Sequence, residues 1–347
     1  MRFYFHARAR LRNETDVLLA ALALQARERA SPSPVLFSLD KFGEPETLAN
    51  FRFSKAEIHQ LVAAFRLPTV IRTNNKLKVS GVEALCILLR RLSYPGRLED
   101  LIPMFGRTES QLSRIVAHMV DYIYDRFSHL LEFDEQRLTH AKLQEFAQAI
   151  AAKGGVVPGC FGFIDGTLRG TCKPIYGQKQ MFNGHKRTHG LKFQLVTAPD
   201  GMIVHLSGPW VGCCNDARML RESNLNSLLA DHCSTADGRY VLYGDSGYPQ
   251  QTYIRTPYRV GQLTPAHESF NSAMSRVRQT VEWGFRDIVT TFAFLDFKKN
   301  LKVLLQPVGK LYFVGAILTN VYTCMHGNNT ASYFMLDPPT LDEYLHL

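Results

Sequence analysis

The stretch Tyr240-Val241-Leu242-Tyr243-Gly244-Asp245-Ser246-Gly247-Tyr248-Pro249 decides the reading of the fold. A β-branched and aromatic run stops at an acid and a Gly turn, so a strand holds the Asp245 carboxylate at its tip. The same grammar occurs upstream, where Cys160-Phe161-Gly162-Phe163-Ile164 runs into Asp165-Gly166-Thr167 and predicts a second strand that delivers Asp165 to a loop edge. A third acid, Glu282, lies inside the helical pattern Val277-Arg278-Gln279-Thr280-Val281-Glu282-Trp283-Gly284-Phe285. Three acids on three elements suggest a site for hard divalent cations, which take oxygen ligands. Separation in sequence keeps their mutual repulsion from disturbing any one strand.

Outward from these acids, the texture from Val156 onward is that of strands: 160 to 165, 168 to 173, 191 to 198 and 202 to 207, the last two joined at Asp200-Gly201. A helix over 215 to 230, the strand 240 to 245 and helices over 270 to 292 and 307 to 325 complete a mixed sheet with helices on its faces. The fold class is α+β. Upstream, three helix starts carry a Ser/Thr-x-x-Glu/Gln capping box: Ser54 with Glu57, Ser80 with Glu83, and Thr108 with Gln111. They predict an all-α region with helices over 55 to 66, 81 to 93, 97 to 104, 109 to 131 and 135 to 152. Leu98 to Asp125, with Gly106 at a tight turn, has helix-turn-helix proportions and would show Glu109, Gln111, Ser113 and Arg114 to a groove. The same pattern also suits a plain helical bundle. Arg72, Lys76, Lys78, Arg90, Arg91, Arg97, Arg107 and Arg114 tilt it towards DNA, because phosphate contacts need clustered cations.

Each acid has a bland alternative. Asp-Gly and Asp-Ser-Gly are common turn sequences, and Glu282 could join an exposed i,i+4 stripe with Arg278 and Arg286. Asp216 is either an acid favoured at a helix N-terminus or a fourth metal ligand. Asp287 and Glu268 lie nearby with no strand or loop context to recommend them. Two Mg2+ or Mn2+ ions about 3.5 to 4 Å apart are a known solution for phosphodiester chemistry. Lys179, His185, Lys186, Arg187 and Lys192, interleaved with Tyr176 and Phe182, would hold a DNA backbone and an unpaired base beside them. Ser246 has no His partner, which disfavours a hydrolase triad.

The whole chain has 347 residues, enough for two compact domains, and 46% hydrophobic content supports packed cores. A formal charge of +9 favours a polyanionic partner. Seven cysteines with no Cys-x-x-Cys pair suit a reducing compartment rather than a disulfide framework. Cys172, His185 and His189 lack the second cysteine of a zinc finger. At the N-terminus Arg2, Arg8, Arg10 and Arg12 precede the apolar run Val17 to Ala26, but Glu14 and Asp16 interrupt it, which predicts a surface helix or tail rather than a targeting peptide. Leu311 to Met325 is shorter than the roughly 20 residues of a membrane span and reads as a buried helix.

Taken together the motifs resemble the catalytic domain of PIF/Harbinger-type transposases and the nucleases derived from them. The matching segments are Phe163 to Thr167, Gly184 to Gln194, Asn215 to Arg218, Gly244 to Pro249 and Arg278 to Phe285, in that order. Asn215 and Ala217 depart from the family's usual residues on either side of the acid at Asp216, as does Met325-His326-Gly327-Asn328 near the C-terminus. The resemblance implies an RNase H-like fold with a DDE triad at Asp165, Asp245 and Glu282, Asp216 as an added metal ligand, and a water or 3′-hydroxyl as nucleophile. The resemblance covers about 156 to 326, and the helical region upstream also looks like the family's DNA-binding portion. With the boundaries read along the chain, the domain plan is residues 1–50 a tail and linker, 51–155 a helical DNA-binding domain, 156–330 the DDE catalytic domain, and 331–347 a C-terminal tail. Oligomeric state is not written in the residues; the resemblance implies DNA as partner, a Myb/SANT-like protein as helper, and the nucleus, with the cytoplasm second, as location. The alternative is a domesticated DNA or chromatin-binding protein that has lost catalysis.

Overall fold

A computed structural model describes residues 37–73, 76–235, 238–259, 261 and 263–347. The N-terminal Arg-rich segment, the Val17 to Ala26 run and the Ser31-Pro32-Ser33-Pro34 stretch lie outside the described residues.

The first half is mostly helical: α1 (Glu44–Phe51), α2 (Lys55–Ala64), α3 (Gly81–Ser93), α4 (Ile102–Phe105), α5 (Glu109–Phe127) and α6 (His140–Ala152). Local sequence explains the helix starts. Ser54 and Glu57 cap α2 reciprocally, and Thr108 and Gln111 do the same for α5. At α3 only half of the expected box forms: Ser80 accepts from the Glu83 amide, but the Glu83 carboxylate turns to Arg107. Gly106 takes the left-handed conformation, φ 61°, that ends α4. A short antiparallel hairpin, β1 (Val70–Arg72) with β2 (Lys78–Ser80), interrupts the helices. Its three-residue strands are too brief to leave a period in the sequence.

The second half is built on a mixed sheet of β3 (Cys160–Gly170), β4 (Phe182–Asn183), β5 (Thr188–Thr197), β6 (Ile203–Val211), β9 (Val241–Tyr243) and β10 (Ile254–Arg255), with a separate small hairpin of β7 (Ser234–Thr235) and β8 (Gly238–Arg239). β3 lies between antiparallel β5 and parallel β9; β9 then pairs in parallel with β10, and β5 pairs with β4 and β6. The helices are α7 (Gln178–Met181), α8 (Asp216–Glu222), α9 (Leu225–His232), α10 (Pro265–Thr291), α11 (Val308–His326), α12 (Asn329–Phe334) and α13 (Leu341–Leu345).

β3 corrects the sequence reading. Two strands with a turn at Asp165-Gly166 were expected, whereas one strand runs through both residues to Gly170, paired with β5 from Phe163↔Thr197 to Gly170↔Gly190. The long ladder with β5 overrides the local turn preference of Asp-Gly. The helix expected over 215 to 230 is two helices, broken at Ser223 and Asn224. Leu311 to Met325 lies in α11, whose residues are mostly buried, and no described helix is long and apolar enough to cross a membrane. Near the end, Thr340 and Glu343 form a further capping box for α13, which buries Leu341, Tyr344 and Leu345. One apolar core runs from Leu39 to Leu345 through both halves.

Candidate functional site

β3 and β9 are parallel neighbours, so Asp165 within β3 and Asp245 just beyond β9 reach the same end of the sheet. Side chains alternate along a strand, and Asp165 is turned to α10, where Arg278 Nη2 lies 3.1 Å from its Oδ1. Gly166 faces α8 instead, and a Cβ there would overlap Asp216 Oδ1. At Gly247 a Cβ would sit 3.0 Å from both Asp216 Oδ2 and Asp245 Oδ1. The two glycines therefore leave open the space between Asp216 and Asp245, and Asp165 is near enough for both to raise its carboxyl.

Two cations balance this acidity. Lys192 Nζ lies 2.7 Å from Asp216 Oδ1, and both side chains are largely buried. Arg278 balances Asp165, which also accepts from the Gly166 amide at 2.8 Å. Burial pushes the Asp165 carboxyl up to about 6; Arg278 and the Gly166 amide oppose the rise, while Asp245 and Asp216 add to it. Asp245 accepts from the Gly247 amide at 2.9 Å. Beneath the cluster Tyr248 is buried, its hydroxyl has no hydrogen-bond partner among the described residues, and burial followed by the three aspartates drives its acidity far below that of free tyrosine.

Glu282 lies one helical turn beyond Arg278 on α10 and is exposed. Among the described residues its carboxylate forms no ion pair with Arg278, Arg286 or any other cation. The i,i+4 stripe is thus not formed, and Arg278 is spent on Asp165. The structure sets Asp165, Asp216 and Asp245 within electrostatic reach of one another, with Glu282 exposed on α10. Among the described residues no three His, Cys, Asp or Glu side chains are grouped as metal ligands. The donor set still suits a hard divalent cation, since it offers carboxylate oxygens around a glycine-lined space.

The expected DNA contacts separate in the same way. Lys192 is committed to Asp216, and Arg107 is committed to Glu83 by two short contacts, 2.6 and 2.8 Å. Arg114 is exposed on α5, Lys179 is exposed on α7, and His185, Lys186 and Arg187 form the exposed tip between β4 and β5. Asn183 fixes that tip: its Oδ1 accepts from the Lys186 amide and its Nδ2 donates to the Gly212 carbonyl. Phe182 packs edge-on against His189, while Ile175 and Tyr176 are 83% and 76% exposed beside the tip's approach.

Arg278 and Tyr248 were not singled out from sequence, although both stand inside the quoted motifs. Arg278 was assigned to its helix neighbours, because i,i+4 spacing is visible in sequence and a cross-element partner is not.

Residues 164–320 match the family described as DDE superfamily endonuclease. The chain is 24% identical over 259 residues to "Putative nuclease HARBI1" of Homo sapiens, covering 74% of this chain and 70% of that one. The figures for the Bos taurus protein of that name are the same. "Protein ALP1-like" of Arabidopsis thaliana is 23% identical over 226 residues, 62% of this chain and 54% of its own. No solved structure matches. These relatives agree with the Harbinger resemblance drawn from the motifs.

Proposed function

Because the chain carries a DDE superfamily endonuclease domain and is homologous to the HARBI1 and ALP1-like proteins, we propose that it is a Mg2+- or Mn2+-dependent DNA endonuclease of transposase descent. The observation that carries this reading is Asp216 and Asp245 meeting at a space kept open by Gly166 and Gly247, with Asp165 near enough to feel both. These acids, with Glu282 from α10, would hold the cations. When bound there, such cations would supply activation of the attacking oxygen and stabilisation of the leaving one.

The chain's own residues then divide the remaining work. Arg278 and Lys192 supply positive charge to two of the acids and hold them in place. The buried Tyr248 ring and the Gly247 amide fix the loop that presents Asp245. The tip at His185, Lys186 and Arg187 offers cations to a phosphate backbone, with Tyr176 exposed to stack on a base. The mixed sheet with its acids at one end supports an RNase H-like catalytic domain, and the helices over 51–155 would serve as a DNA-binding domain. Nuclear location and a Myb/SANT-like helper belong to the same proposal.

A second reading is a domesticated DNA-binding protein without catalysis. Arg278 and Lys192 favour it, since each occupies a carboxylate that a cation needs. Nicking of supercoiled plasmid by the purified full chain separates the two. The nuclease reading expects metal-dependent nicks from the wild type and none from Asp165→Asn, with DNA binding retained in both. Equal nicking by both proteins would reject the site. Binding in EDTA with no nicking in either metal would favour the second reading.

A further inference from the structure

The segment after α10, Asp296-Phe297-Lys298-Lys299-Asn300-Leu301-Lys302, carries three lysines in five positions, and all three side chains are exposed. Two other surface lysines meet acids, Lys310 at 2.6 Å from Asp121 and Lys142 at 2.9 Å from Glu145. Among the described residues Lys298, Lys299 and Lys302 have no such partner. Asp296, the nearest acid in the chain, is directed to Arg169 at 3.8 Å. Lys173, also exposed and unpaired among the described residues, extends the group from the end of β3.

The backbone that carries these lysines is held on two sides. Cys172 Sγ donates to the Lys299 carbonyl at 2.9 Å, and the Cys172 amide donates to the Leu301 carbonyl at 2.9 Å. On the helical side Asn300 Nδ2 donates to the Gly96 carbonyl at 3.1 Å, the same carbonyl that Arg91 Nη1 reaches at 2.7 Å. A fixed platform of unpaired cations is costly to leave facing only its own kind, and a polyanion relieves that repulsion.

Its place relative to the acids fits one polyanion in particular. A Cβ on Gly170 would lie 3.5 Å from Lys298 Cβ, so the platform abuts the far end of β3. Asp165 is five residues back along that strand, about 17 Å at roughly 3.3 Å per residue. One strand of a duplex spends about five phosphates on that length.

Building on the nuclease reading, we propose that Lys298, Lys299, Lys302 and Lys173 form a second phosphate-contact surface. It grips the DNA backbone about five nucleotides from the phosphate held at the acids.

The test is the salt dependence of duplex binding, measured by fluorescence anisotropy of the full chain in EDTA so that cleavage plays no part. The triple variant Lys298→Ala, Lys299→Ala, Lys302→Ala should flatten the slope of log K against log salt by about 2.7, at roughly 0.9 per lost contact. Lys173→Ala should remove about 0.9 more, and Lys310→Ala, which loses a paired lysine, should leave the slope unchanged. An unchanged slope in a folded triple variant overturns the proposal, as does a wild type whose binding ignores salt. Leu304 and Leu305 are 79% and 78% exposed beside the lysines, so vesicles containing anionic lipid form a second arm. Loss of vesicle binding with DNA binding intact would overturn the proposal in favour of a membrane surface. A protein that passes the slope test but never nicks DNA would remove the nuclease reading and leave this surface standing.

Discussion

In the helical half, two of the arginines that look like DNA contacts, Arg107 and Arg91, are structural, while Arg114 stays exposed. Arg107 is paired with Glu83, and Arg91 is buried with its guanidinium 3.9 Å from the Phe294 ring centre while it donates to the Gly96 carbonyl. Arg52 donates to the carbonyls of Ala49, Ser93 and Thr291. The sheet half does the reverse: the tip at Lys186 and Arg187 and the segment at Lys298, Lys299 and Lys302 are exposed, with no acid on their side chains among the described residues. Counting cations along the sequence gives the two halves equal weight. Accounting for their partners among the described residues takes Arg107 and Arg91 out of the helical half's DNA surface and leaves the Lys186–Arg187 tip and the Lys298–Lys302 segment as the sheet half's free cations.

The sharpest way to break this contrast is at Glu282. If the sheet half is the working half, Glu282→Ala should cut nicking by several kcal/mol of transition-state stabilisation, roughly 10^3-fold. Its exposure and lack of partners predict a stability change within about 0.5 kcal/mol. Parallel plasmid nicking and thermal melts read both quantities. A variant that nicks as well as the wild type would remove Glu282 from the site and leave the aspartates alone.

Arg107→Ala should show the opposite profile. Glu83 would be left without its partner in a nearly buried place, a loss of about 3 kcal/mol, at the low end for removing one member of a buried pair. Adding Glu83→Gln should restore part of the melting temperature. The salt slope of DNA binding should not move. A slope that falls with stability unchanged would return Arg107 to the DNA interface.

A smaller effect tests how the two kinds of carboxylate on α10 differ. Burial pushes the Asp287 carboxyl up to about 6, opposed by Arg286, and its Oδ2 is buried with no partner among the described residues. The folded state thus holds this proton more tightly than the unfolded chain, whose ordinary value is 3.8. Stability is therefore full below that value and falls as pH rises through about 6. Asp287→Asn should stabilise the protein by about 1 to 2 kcal/mol at pH 8, after discount for partial exposure, and by nothing near pH 3.5. Denaturant melts at the two pH values measure it; equal effects at both would mean that the charge is solvated.

What could be read in advance follows the range of the forces. Helix starts are local, so Ser54 with Glu57 and Thr108 with Gln111 stand where they were expected, and α3 has the expected bounds. Asp245 lies beyond a strand as its Gly-rich context implied. Asp165 does not lie at a strand end, because the β5 ladder is a distant interaction that no dipeptide reports. The same limit hid the Arg278 pair with Asp165 and the Lys192 pair with Asp216, each formed across elements. The converging acids were visible as motifs; the cations that answer them were visible only as composition.

The finest probe of the contrast is the β4–β5 tip. Lys186→Ala with Arg187→Ala removes two exposed cations but leaves the Lys186 amide, which is what Asn183 holds. Arg187 already adopts φ 50° with a side chain in place, and Ala there meets the same backbone cost. Stability should stay within about 0.5 kcal/mol. The slope of log K against log salt should flatten by about 1.8, two contacts' worth, while preference among DNA sequences stays constant because phosphate contacts carry no base readout. If sequence preference shifts instead, the tip reads bases, and the sheet half would hold both the grip and the specificity that helix-turn-helix proportions had assigned to α5.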